Sequence, residues 1–309
     1  MSKARQLADL GNVYDDGALS NRNKIINGNF DIWQRGTADV TSDTYFADRW
    51  VMNRSGGTAT ASQESFTLGQ TDVPNNPSYF AKLDVTTGNN QARIEQRVED
   101  VTTFAGQTTT LSFYAKGTNP NSGNVQIFLA HRYGTGGSTS VNVVDTITLT
   151  SSWQRFEVTL DVPSVSGKTI GSGNYVQIAW RQPDTDTSTD AWDISLSQVQ
   201  WEVGDSATPF EHRGYGDELA RCQRYYQVVG RGRGSARGSL TGDSQCAYSH
   251  RLAVEMRDEP TMTIKTEGSG GCTFHSFSNV NKSHVAVNVD VTSTSYWYFN
   301  DGYYADAEL

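Results

Sequence analysis

Cysteine is scarce: Cys222, Cys246 and Cys272 are the only three in 309 residues. An odd number at wide spacing makes no disulfide framework and no CxxC pair. It reads as reduced thiols in a protein assembled in a cytoplasm. No Cys/His cluster has zinc-ligand spacing. The five histidines (His131, His212, His250, His275, His284) are scattered and read as surface or satisfied core residues. No HExxH, Gly-x-Ser-x-Gly or P-loop occurs. A glycoside hydrolase needs two facing carboxylates, and no local motif singles out a pair among 34 acidic residues. The expectation is a protein that is not an enzyme and has no catalytic residues. No apolar run approaches the roughly 18 residues of a membrane helix. The first residues lack the apolar core of a secretion signal. Neither membrane insertion nor that export route is therefore expected. Positive charge is also short: 25 Lys+Arg against 34 Asp+Glu leave a net charge of −9, which argues against a broad nucleic-acid face. Residues 230–238 (GRGRGSARG) look like an RNA-binding segment but are too short.

What the chain does have is strand signal. Hydrophobic content is 36%, with 29 glycines and 7 prolines, a composition of β-structure with many turns. Leu111, Phe113 and Ala115 alternate with polar neighbours. So do Val125, Ile127 and Leu129; Phe156, Val158, Leu160 and Val162; and Val176, Ile178 and Trp180. Period two places one face in a core and the other in water, as in antiparallel sheets packed as a sandwich. Gly- and Asn-rich turns separate the runs at residues 56–57, 88–90, 134–137 and 171–174. Residues 25–36 (IINGNFDIWQRG) read as the first strand and 192–203 as the last, lying close together. Trp192, Ile194 and Leu196 share one phase, and Val199, Trp201 and Val203 the other. A bulge near Ser197 or Gln198 reconciles them.

The ends differ from this body. Ala4, Leu7, Ala8 and Leu10 fall near one face of a short helix stopped by Gly11-Asn12, too short to stand alone in water. Residues 213–229 read as the one good helix. Leu219, Cys222, Tyr226 and Val229 make a heptad-like seam, which packs on its own domain or along a trimer axis. Residues 230–309 read as a small β-domain, with strands expected at 252–257 and 285–291. Tyr296 to Phe299 and Tyr303-Tyr304 crowd its end with aromatics. These suit an intersubunit core or a stacking platform for sugar rings.

Residues 25–36, then 47–50 (ADRW), 207–213 (ATPFEHR), 216–226 (GDELARCQRYY) and the ending 305–309 (ADAEL) resemble a group of bacteriophage and prophage tail-fibre proteins whose body looks like the jelly-roll carbohydrate-binding modules. The resemblance implies an all-β, antiparallel jelly-roll sandwich at residues 25–212. Residues 1–24 would be a virion anchor on a tail adaptor protein, 213–229 a connecting helix, and 230–309 a trimerisation or tip domain. The implied protein is a homotrimeric fibre in the virion, assembled in the host cytoplasm, that attaches to host-surface polysaccharide. A head fibre without sugar binding is the alternative, and a polysaccharide depolymerase a third. Sugar rings stack on aromatic faces while polar side chains bond their hydroxyls. The candidates on outward phases and loops are Tyr79, Tyr114, Tyr133, Trp153, Tyr175, Tyr298 and Tyr303. Trp33, Trp50, Trp180 and Trp192 read as packing residues. No cofactor is expected. Related modules hold a structural Ca²⁺ between first and last strands, which maps here to Asn29, Asp31 and Asp193. Asp184-x-Asp186-x-Ser188-x-Asp190 has carboxylates at alternate positions but lacks the Gly and Glu of an EF-hand.

Overall fold

The computed structural model describes residues 21–87, 92–120, 122–183, 190–229, 244–265, 272–291 and 302–309. The helix at Ala4, Leu7, Ala8 and Leu10, the 184–188 acidic loop, the 230–238 stretch and Tyr298 lie outside them. The chain divides into two units, residues 1–213 with Leu309, and residues 214–308.

The first unit is an antiparallel jelly-roll sandwich. One sheet has six strands: β1 (Thr44–Ala47), β2 (Trp50–Asn53), β5 (Arg93–Glu99), β10 (Tyr175–Arg181), β7 (Asn124–Arg132) and β8 (Val141–Thr148), in that order. The other runs β3 (Thr58–Ser65), β4 (Tyr79–Thr87), β11 (Trp192–Val203), β6 (Thr108–Thr118) and β9 (Gln154–Asp161). The chain repeatedly crosses from one sheet to the other, so each sheet's apolar phase meets its counterpart. Leu111, Phe113 and Ala115 on β6 and Val176, Ile178 and Trp180 on β10 are buried, as their alternation requires. One aromatic pair bridges the layers, Trp180 standing edge-on to Phe113 at 5.2 Å, while Trp50 of the same sheet tilts against Trp180 at 5.8 Å. The bulge in β11 lies between Ser197 and Gln200, where Gln198 takes φ 48°. Of its second phase, Val199 and Trp201 are buried and Val203 is exposed.

Residues 25–36 are not a strand. They are an irregular plug laid along β11. Asn27 and Phe30 adopt φ 58° and 56°, and the left-handed backbone breaks any ladder. Side chains replace the missing bonds. Asn23 donates to the Val199 carbonyl (3.2 Å) and accepts from the Trp201 N–H (3.0 Å) and Ile25 N–H (2.9 Å). Asn27 holds the Ile32 N–H (3.0 Å) and the Ile32 and Asp48 carbonyls (2.9 and 3.1 Å). Two backbone bonds finish the attachment: Lys24 N–H to Trp201 and Val199 N–H to Gly28. The plug thus buries Ile25, Phe30 and Ile32 while these bonds pair much of its polar backbone.

In the second unit, helix α1 spans Tyr215–Gln223 and strand β12 spans Tyr226–Val229. β12 joins β17 (Gly302–Asp306) and β14 (Thr261–Lys265) in one three-stranded sheet. β13 (Ser244–Arg251), β16 (His284–Val291) and β15 (Cys272–Asn281) form another. The expected seam therefore does not exist as a helical stripe. Leu219 and Cys222 are on α1, while Tyr226 and Val229 are on β12. Aromatic and β-branched residues at 225–229 favour the strand. Cys222, Tyr226 and Val229 are buried, and Val229 packs with Leu252, Met256 and Val287, so these three are not an exposed trimerisation face. Residues 252–257 are irregular rather than a strand.

Candidate functional site

Period two leaves an outer phase on each sheet. On β5 it is Arg93, Glu95, Arg97 and Glu99; on β10, Tyr175, Gln177, Ala179 and Arg181; on β7, Gln126, Phe128, Ala130 and Arg132. Register sets them in rows. Ala179 pairs with Glu95 and Phe128, Gln177 with Arg97 and Ala130, Arg181 with Arg93 and Gln126, and Tyr175 with Glu99 and Arg132. This phase was expected to be wet, yet most of it is buried. Glu95, Gln177, Ala130 and Ala179 are at most 2% exposed.

A polar network fixes the face. Glu95 accepts from Arg93 Nε (2.5 Å), from Arg97 Nε and Nη2 (3.1 and 2.9 Å), and from the Gln177 amide. A carboxylate this deep is tolerable only because two cations and an amide fill its lone pairs. Arg181 Nε donates to Gln126 Oε1 (2.7 Å) and Arg132 Nε to Gln177 Oε1 (3.2 Å). The guanidinium of Arg181 lies 4.0 Å above the Phe128 ring, and that of Arg97 lies 5.2 Å from the Tyr175 ring. At the β1 end, Tyr45 hydroxyl donates to the Leu309 carbonyl (3.1 Å), which also accepts from Arg97. Burial raises the Tyr45 pKa, against the pull of Arg49, Arg97 and Arg35, so the phenol stays a neutral donor.

The five-stranded sheet has its own outer cluster. Phe66, Phe80 and Trp153 meet at 4.7 to 5.2 Å, with Lys116 Nζ over Phe80 and Trp153. Beside them a cleft of about 270 Å³ is lined by Phe66, Leu68, Pro77 and Tyr79.

The candidates separate. Trp153 belongs to this aromatic cluster, Tyr79 lines its cleft, and half-buried Tyr114 faces outward on β6. Tyr175 alone joins the arginine-rich face. Tyr133 and Tyr303 are buried, 1% and 0% exposed, and neither offers a ring to a ligand. Tyr133 follows β7 and packs on buried His131, while Tyr303 is an inward position of β17 against Phe277. The calcium set is not assembled. Gly28 pairs with Val199, six positions and about 20 Å along β11 from Asp193. The Asn29 amide donates to Asp31 (2.8 Å), and Asp193 accepts from Thr118 (2.5 Å). Among the described residues no group of three His, Cys, Asp or Glu could hold a metal, and no helix is long and apolar enough to cross a membrane.

Reading the sequence missed Arg93, Arg97, Arg132, Arg181, Gln126 and Gln177. Their signal was present as RxExR on β5 and QxF and YxQ on β7 and β10. A polar phase looks alike, however, whether it is solvated or networked.

No family model matches the chain, and no curated protein does. Among solved structures it is similar to the xylan-binding CBM22-2 domain of Paenibacillus barcinonensis Xyn10C, at 16% identity and TM-score 0.35 over 50% of this chain and 92% of that one. It is similar to the family 11 carbohydrate-binding module of Lic26A-Cel5E of Clostridium thermocellum, at 16% identity and TM-score 0.35 over 58% and 99%. The enzymatically active domain of bacteriophage CBA120 tailspike protein 4 matches at 14% identity and TM-score 0.34, over 59% of this chain and 22% of that one.

Proposed function

We propose that the chain is a non-enzymatic attachment protein of a phage fibre and that the outer face of its six-stranded sheet binds a surface glycan. The supporting observation is the network on β5, β10 and β7. Buried Glu95 holds half-buried Arg93 and Arg97 in place, buried Gln177 holds half-buried Arg132, and buried Arg181 and Gln126 bond each other alongside. Sugar hydroxyls need such groups, and a pre-ordered array binds without the entropy cost of ordering long side chains. Half-buried Tyr175 supplies an aromatic edge on the same face. The fibre role, a homotrimer and tail attachment through residues 1–24 rest on the sequence resemblance. Three copies would raise weak binding by effective concentration.

The test is a glycan array probed with the full chain, then with Gln177→Ala and Tyr175→Ala variants whose circular dichroism matches the parent. The expected result is a defined set of retained glycans, with retention lost in both variants. Retention unchanged in both, or lost only on replacing Trp153, would move the site off this face. Electron microscopy of labelled particles tests the fibre assignment.

A further inference from the structure

We infer that the ligand of this face is an acidic saccharide, with a sugar carboxylate seated on Arg132 beside Arg97; this rests on the glycan-binding reading above. The chain carries a net charge of −9. Yet the outer positions of β5, β10 and β7 hold four arginines, two glutamates and no aspartate. Cations are thus concentrated where the protein as a whole has too few. All four are arginines, whose fork matches a carboxylate in two-point fashion where a lysine gives only a point charge.

Arg132 carries the argument. Its Nε donates to Gln177, and its guanidinium lies 6.0 Å from the Phe128 ring centre. Both contacts fix its direction. Among the described residues its two Nη nitrogens enter no further hydrogen bond, and the residue is only half-buried. Four donor hydrogens of an oriented guanidinium on a half-buried residue are therefore left over for a ligand. Arg97 stands on the other side of β10: Tyr175 pairs with Arg132 while Gln177, two positions on, pairs with Arg97. Two strand spacings and the two-residue offset put their Cα atoms about 12 Å apart, room for a sugar ring against half-buried Tyr175 with its carboxylate toward Arg132. Glu95 does not neutralise this end, because Arg93 and Arg97 already share it. A neutral sugar would be served as well by amides and hydroxyls. Four arginines less Glu95 and Glu99 leave a net charge of +2 on this face of an acidic protein, which a neutral sugar does not use.

The full chain is titrated by calorimetry with polygalacturonate, alginate and hyaluronate, each beside its carboxyl-reduced neutral form, at about 20 mM and about 300 mM salt. At least one acidic polymer is expected to bind about tenfold more tightly than its reduced form, with the gap shrinking at high salt. Arg132→Gln keeps the stem and should remove most of that gap, weakening acidic binding more than neutral binding. If reduced and acidic forms bind alike and Arg132→Gln changes neither, the acidic class is wrong while the glycan reading stands. If acidic binding is intact in both Arg132→Gln and Arg97→Gln, the carboxylate sits elsewhere and the inference is overturned. If no polymer binds in either form, both readings fall.

Discussion

A methyl group at Gly28 tests how the plug is held. A Cβ there would stand 2.1 Å from the Val199 carbonyl oxygen and 3.3 Å from Ile25 Cγ2. The first contact is with backbone of the central strand, so no rotamer relieves it. Ordinary contact begins near 3.4 Å, and the plug would have to lift by roughly 1.3 Å, the difference between the two distances, given how little a packed interior yields. That lift would break the Val199 N–H to Gly28 bond, now 2.8 Å, and stretch Lys24 N–H to Trp201, now 2.9 Å. Two such bonds are worth about 1 kcal/mol each, and overpacking costs about 1 to 3 kcal/mol. The stiffer unfolded chain returns about 0.4 to 1 kcal/mol. Gly28→Ala should therefore destabilise the sandwich by about 2 to 4 kcal/mol, measured by urea unfolding followed through tryptophan fluorescence. Gly216→Ala is the control. It lies on α1 with nothing within 4 Å of the added carbon and should be neutral or stabilising by up to about 1 kcal/mol. A loss below about 0.5 kcal/mol for Gly28→Ala would mean that the plug is not seated on β11 as described.

Three further outcomes follow from buried polar groups. Trp201 Nε1 donates to Thr109 Oγ1 at 2.9 Å, both residues fully buried, so Thr109→Val should cost about 1 to 3 kcal/mol in the same assay by stranding an indole N–H. His131 is buried, neither ring nitrogen has a hydrogen-bond partner among the described residues, and burial lowers its pKa. The unfolded chain then takes the proton first. Stability should be full above about pH 6.5 and decline as pH falls below it, and His131→Phe should flatten that decline. For Glu211, burial opposes the charge, but the Asn23 and Asn21 N–H groups with Arg213 and Arg22 outweigh it and hold the carboxyl below its usual 4.5. Its contribution is present above that value and lost as pH falls through the lowered one. Glu211→Gln should remove the corresponding acid limb of a stability-against-pH curve.

The sandwich was legible because its inner face is mostly apolar at period two: Val125, Ile127 and Leu129 could face only one way. The bulge was legible for the same reason, since Trp192 to Leu196 and Val199 to Val203 cannot share a phase without an extra residue. Residues 25–36 misled because apolar content alone does not encode φ. Asn27 and Phe30 in the left-handed region turn a strand-like string into a plug, and the asparagines that hold it read as turn formers. The 3-4-3 spacing of Leu219, Cys222, Tyr226 and Val229 misled in the opposite sense. It matched a helix, while Tyr225 to Val229 preferred an edge pairing with β17 that no local pattern announces. The proposed ligand face depended on long-range order. That β10 lies between β5 and β7, bringing Gln177 to Glu95 and Arg132, is a fact of topology, so polar residues on three separate strands gave no sign of forming one network.

The proposed ligand should lie on the outer face of β5, β10 and β7. A crystal structure of the full chain soaked with an acidic oligosaccharide that it binds in solution tests this most directly. Sugar density is expected against Tyr175, with a carboxylate within hydrogen-bond distance of the Arg132 guanidinium. Density confined to the cleft beside Phe66, Tyr79 and Trp153, with the arginine face bare, would contradict it.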